Sequence, residues 1–200
     1  MNFAVFASGN GTNLQAIIDA CRKKKIKGAL KMVFSDKPDA FALTRARKAE
    51  VPCIAWIEPK AYKTREAFDK AVVKLLKAEG IDFVVLAGFM RILSSGFVRA
   101  YKNRILNIHP ALLPAFKGVH SIKEAFEYGV KVAGVTVHIV DEEMDHGPIV
   151  VQAAVEVKTT DSLASLEGKI HEVEHRLYPQ AVDLFARGKI KVVGRTVRVG

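Results

Sequence analysis

Short apolar runs alternate with helical patterns from residue 2 to residue 108, and no other feature limits the fold so strongly. Residues 2–7, 29–34, 53–57, 82–87 and 105–108 read as strands, and 12–24, 40–49, 64–79 and 94–101 as the helices between them. The clearest helix is 64–79, where Phe68, Val72, Leu75 and Leu76 recur at helical spacing and Gly80 supplies the stop. Strands that are apolar throughout are covered on both faces, and a strand–helix–strand order makes them parallel. The first half therefore predicts a parallel sheet with helices on both sides.

The second half changes pattern. Ser121 and Glu124 have capping-box spacing, which predicts a short helix over 121–128. Strands over 132–140 and 149–157 flank an acidic loop, and a long helix follows over 161–187. Pro179 lies inside that helix and predicts a kink near His175. The tail, 189–199, reads as a hairpin turning at Gly194. The whole predicts one three-layer, Rossmann-like α/β domain over 1–200, its central sheet mostly parallel, with an antiparallel C-terminal extension.

Composition narrows the classes. Half of the 200 residues are apolar and 26% are charged, an ordinary globular balance that excludes disordered and low-complexity chains. The longest apolar run, Phe83 to Met90, falls far short of the ~20 residues a membrane span needs. The N-terminus shows no basic segment followed by a long apolar run, and Cys21 and Cys53 form no pair pattern, so a reducing cytoplasmic setting is expected. The net charge of +10 raises a nucleic-acid reading. Its only dense run, Arg22 to Lys25 with Lys27, falls at a helix end, where cations complement the dipole. A basic surface also attracts small anionic substrates.

Four constellations carry chemistry. The turn Ser8-Gly9-Asn10-Gly11-Thr12-Asn13 links a strand to a helix, where free N–H groups suit a phosphate and Thr12 suits an N-cap. Leu14 stands where a dinucleotide fingerprint needs its third glycine. Asn107 and His109 are two apart on a strand and share one face, and Pro110 stops the strand there. An amide donor beside an imidazole suits carbonyl polarisation and proton movement. The loop Asp141-Glu142-Glu143-Met144-Asp145 offers a carboxylate to fix the imidazole, without saying which one. His171-Glu172-Val173-Glu174-His175 matches the H-E-x-x-H zinc signature but has no third ligand at the usual distance downstream. Arg65 opens a helix capped by Thr64, and the 88–93 stretch offers an apolar loop with one arginine.

Taken together, the segments 6–17, 85–93, 106–114, 116–120, 134–138 and 145–149 resemble the phosphoribosylglycinamide formyltransferases, the folate-dependent transformylases of purine synthesis. The resemblance runs in order from residue 1 to about residue 187 and implies that family's three-layer formyltransferase fold. It implies a phosphate-binding half, 1–108, and a folate-binding half, 109–200. Gly11, Thr12 and Asn13 would hold the phosphate of glycinamide ribonucleotide, Glu174 its ribose, and Arg65 and Met90 would line the same pocket. Arg91, Ile92, Leu93, Asn107, Val140, Asp141 and Asp145 would hold 10-formyltetrahydrofolate, a co-substrate. Asn107, His109 and Asp145 would be catalytic, which selects Asp145 among the loop acids. The resemblance calls for no metal, no nucleic acid and no membrane, and leaves a homodimer open. Formyltetrahydrofolate hydrolase and methionyl-tRNA formyltransferase share this core but carry an added domain, for which 200 residues are too few. A zinc hydrolase built on His171 and His175 competes with this reading, and so does a basic nucleotide-binding module. The chain departs from the family at Ala111, where serine is common, and at His146, beside Asp145, where a small residue is frequent.

Overall fold

A computed structural model describes residues 1–200. Seven strands form one sheet in the order β3-β2-β1-β4-β5-β6-β7. β1 (Asn2–Phe6), β2 (Ala29–Ser35), β3 (Cys53–Trp56), β4 (Phe83–Leu86) and β5 (Ile105–His109) run parallel. β6 (Val132–Ile139) and β7 (Ile149–Glu156) add to β5 antiparallel. The connecting helices are α1 (Thr12–Arg22), α2 (Phe41–Lys48), α3 (Arg65–Ala78) and α4 (Ser95–Ala100), followed by α5 (Ser121–Tyr128) and α6 (Leu163–Ala186). The hairpin β8 (Ile190–Val193) and β9 (Thr196–Val199) closes the chain, with β9 against β7.

The two faces follow from period-2 alternation. Phe3, Val5 and Ala7 of the first strand and its end face α1, α2 and α6 in the larger core, where Leu14, Ile17, Leu43, Ile170 and Tyr178 are buried. Ala4 and Phe6 face the opposite core with Phe68 and Val72 of α3 and Phe97 of α4. The three-layer expectation is met, and so are the antiparallel additions.

Two capping expectations fail. Gly11, not Thr12, caps α1, with φ 75° and no side-chain cap. A Cβ there would press on Ala42 Cβ at 2.8 Å, so a glycine turn leads the chain into the helix and leaves its first N–H groups uncovered by side chains. His120, not Ser121, caps α5. Ser121 is its first helical residue and is buried with an unpartnered Oγ, so the capping box with Glu124 does not form. α6 runs unbroken through Pro179.

The strand order reverses between β1 and β4, since β2 lies to one side of β1 and β4 to the other. Loops leaving the carboxyl ends of these two strands diverge and open a crevice, where α/β sheets bind ligands.

Candidate active site

A cavity of about 250 Å³ lies at this crevice. Its apolar wall comes from Leu86, Phe89, Met90, Ile92, Leu93 and Val140, and its polar wall from Asn107, His109, His138 and the 141–145 loop. Ser8, at the end of β1, ties the crevice together. Its hydroxyl donates to Asp36 Oδ1 at 2.6 Å and accepts the Met90 N–H at 2.9 Å.

The antiparallel pairing of β5 with β6 builds the polar wall. Its register sets Asn107 opposite His138 and His109 opposite Thr136. Asn107 Nδ2 lies 3.1 Å from His138 Nε2, and His138 Nδ1 lies 3.1 Å from the Ile139 carbonyl. A neutral His138 that donates from Nδ1 therefore accepts from Asn107 at Nε2. His109 is buried, and its Nε2 donates to the Phe116 carbonyl at 2.8 Å. Its Nδ1 faces Asp145 Oδ2 at 3.5 Å, so both ring nitrogens point at acceptors, as an imidazolium requires.

Asp145 joins these groups. Oδ2 accepts the Gly118 N–H at 2.9 Å, and Oδ1 lies 3.7 Å from His138 Nε2. Burial pushes its carboxyl up, but the facing His138 and His109 imidazoles and the Gly118 N–H together outweigh burial and hold it below the ordinary 3.8. The backbone of Asp145 has φ 48°, a left-handed conformation that aspartate tolerates better than bulkier residues. Gly147 ends the loop so close to the Ile139 carbonyl that a Cβ would overlap it.

Thr136 holds the chain beyond His109. Its hydroxyl donates to the Ala111 carbonyl at 2.6 Å and accepts from Leu113 N and Gln152 Nε2.

A second polar cluster sits at the start of α1. Buried Glu174 of α6 accepts from Asn13 Nδ2 at 3.1 Å and from His171 Nδ1 at 2.9 Å, both on Oε2. Asn13 Oδ1 is buried without a partner. The hydrogen bond to Glu174 outweighs desolvation and raises His171. The H-E-x-x-H histidines thus lie parallel, ring centroids 6.4 Å apart, with His171 committed to Glu174. No three His, Cys, Asp or Glu side chains gather as a metal-ligand set.

The structure brings together Asn107, His109 and Asp145, and sets Met90, Arg91, Ile92, Leu93, Val140 and Asp141 around the same cavity. Arg91 packs its guanidinium over Phe68 at 4.9 Å and keeps a buried, unpartnered Nε. Gly11, Thr12 and Asn13 meet Glu174 at the helix start. Arg65 is half-exposed, pairs with Glu66 at 3.5 Å and is not in the cavity wall. Sequence reasoning assigned no role to His138, Gly118 or the Phe116 carbonyl. Thr136 and His138, two apart in an otherwise apolar strand, were the signal available for the first.

An open α/β sheet with an amide, an imidazole and a carboxylate meeting at its switch point defines a Rossmann-like enzyme. The chain belongs to the formyl transferase family, whose profile matches residues 1–182. It is 46% identical over 192 residues to the phosphoribosylglycinamide formyltransferase of Escherichia coli strain K12, covering 96% of this chain and 90% of that one. The Bacillus subtilis protein of the same name is 43% identical over 180 residues, covering 90% and 92%. A crystal structure of glycinamide ribonucleotide transformylase 1 from Symbiobacterium toebii matches with TM-score 0.96 and 49% identity, covering all of this chain and 93% of that one.

Proposed function

We infer that this enzyme transfers the formyl group of 10-formyltetrahydrofolate to the amine of glycinamide ribonucleotide, a step of purine biosynthesis. The observation that carries the reading is the meeting of Asn107, His109 and Asp145 on one wall of the cavity. The α1 start, with Gly11, Thr12 and Asn13, takes the phosphate, and Glu174 takes the ribose with its unengaged Oε1. Met90 lines the passage between the two substrates. Arg91, Ile92, Leu93, Val140 and Asp141 hold the pterin, and Arg91 Nε offers it a buried donor. Residues 1–108 supply the phosphate site, the folate site draws on both halves, and Glu174 brings the second half to the ribose. The setting is the cytoplasm, and the chemistry calls for no metal.

The neutral amine attacks the formyl carbon, and the formyl oxygen becomes an anion in a tetrahedral intermediate. Asn107 donates to that oxygen from its amide. His109 Nε2 exchanges the Phe116 carbonyl for it, since a charged acceptor binds more strongly than a neutral one. Asp145, ionised and facing Nδ1, orients the ring and complements the positive charge that develops on it. It also takes the proton that the amine loses, and that proton leaves on the folate nitrogen. One oxyanion donor of this kind contributes about 3–4 kcal/mol to the rate.

The test is absorbance-monitored turnover of 10-formyltetrahydrofolate after chelator treatment, with and without glycinamide ribonucleotide. Folate release that needs the ribonucleotide and survives the chelator is expected. Release without ribonucleotide contradicts a transferase, and loss with the chelator restores the zinc reading.

A further inference from the structure

Arg195 stands at the tip of the C-terminal hairpin, beyond the residues 1–182 that the family profile matches, yet it reaches back to the cavity wall. Its Nη1 lies 3.2 Å from His146 Nε2 and 3.3 Å from Nδ1. His146 Nδ1 is already committed to Asp141 Oδ2 at 2.7 Å. Near-equal distances to both nitrogens set the Arg195 guanidinium against the face of the His146 ring, off the in-plane lone pair of either, while Nδ1 holds Asp141. Arg195 also sits 4.0 Å from Asp141 Oδ2. The other oxygen of Asp141 accepts the Glu143 N–H at 3.1 Å and folds the loop back on itself. The hairpin can bear this contact. The Thr196 hydroxyl donates to the Val193 carbonyl across the tip at 2.9 Å, and β9 lies against β7, the strand that leaves the loop.

We propose that Arg195 and His146 are positioning residues, a clasp through which the C-terminal hairpin holds Asp141 and the 141–145 loop in the shape that receives the folate. The role in folate binding rests on the proposed function, whereas the clasp itself does not. His146 fills this position because an imidazole offers the guanidinium a flat face while its Nδ1 meets Asp141, which Arg195 also approaches at 4.0 Å. The side chain is turned toward Asp141, so its effect on Asp145 passes through the loop.

The experiment compares wild type with Arg195→Ala, His146→Ala and the double variant. Hydrogen exchange at residues 141–146 and steady-state kinetics are read on each. Faster exchange at 141–146 is expected in both single variants. The KM for 10-formyltetrahydrofolate should rise about two- to fivefold, the range of an exposed ion pair, with the ribonucleotide KM and the melting temperature unchanged. The double variant should be no worse than the poorer single, because one chain of contacts is broken either way. Arg195→Lys should restore part of the loss. Unchanged exchange at 141–146 overturns the clasp whether or not the enzyme turns over. Faster exchange with an unchanged folate KM overturns its role in binding. A wild type that fails to transfer formyl, with exchange still accelerated, contradicts the proposed function and leaves the clasp standing.

Discussion

At the residue scale, Asn107 Nδ2 and His109 Nε2 are already hydrogen-bonded, to His138 and to the Phe116 carbonyl. Asn107 keeps its second amide hydrogen free and already aimed by the bond to His138, whereas His109 Nε2 gives up the Phe116 carbonyl for the charged oxygen. A donor set in advance costs least reorganisation in the transition state. Asn107→Ala and His109→Ala should each lower kcat by about 10²–10³-fold, while ribonucleotide affinity measured by calorimetry stays near that of wild type. Asp145 gives a pH prediction. Its folded carboxyl lies below 3.8, so its ionised form is favoured by folding. The stability it adds is present above that ordinary value and disappears as pH falls through the lower folded value. Asp145→Asn, which keeps an acceptor for Gly118, should therefore make the urea midpoint fall less steeply with acidification. An unchanged slope would mean that other carboxylates dominate the acid limb.

At the element scale, the strand pair β5–β6 is the device that makes the site. Its register brings two sequence-distant polar pairs face to face, and Thr136 pins the chain leaving His109 through hydrogen bonds to Ala111 and Leu113, its hydroxyl braced by Gln152 of β7. Thr136→Val keeps the shape of the side chain but strands those partners. It should cost about 1–3 kcal/mol of stability by denaturant unfolding and lower kcat, though Thr136 does not line the cavity. The strands were legible in the sequence because burial on both faces leaves near-continuous apolar runs. Asn107 and His109 were legible because period 2 puts them on one face and Pro110 marks the strand end. Their partners were not. His138 reaches Asn107 only through a non-local antiparallel register, and Phe116 acts through a backbone carbonyl that no side-chain pattern announces. The same limit explains the misplaced caps. Gly11 replaces Thr12 because the turn packs directly on Ala42, and Ser121 is drawn into the core before it can cap.

At the scale of the whole molecule, the chain carries a net charge of +10 and a crevice proposed to take two anionic substrates. Such a field raises encounter rates and is screened over about 10 Å at 0.1 M salt. Rising ionic strength should therefore lower kcat/KM for both substrates and leave kcat nearly level. A kcat that falls as steeply as kcat/KM would place the charge effect in the chemical step. No helix is long and apolar enough to cross a membrane. The proposed transfer is direct, between two substrates held on either side of Asn107, His109 and Asp145. A single-turnover experiment with 10-formyltetrahydrofolate labelled at the formyl carbon follows the group itself. The label should reach the amine of the ribonucleotide, with none in formate, and its transfer should slow together with folate release in His109→Ala. Label appearing in formate while the ribonucleotide stays unlabelled would contradict it.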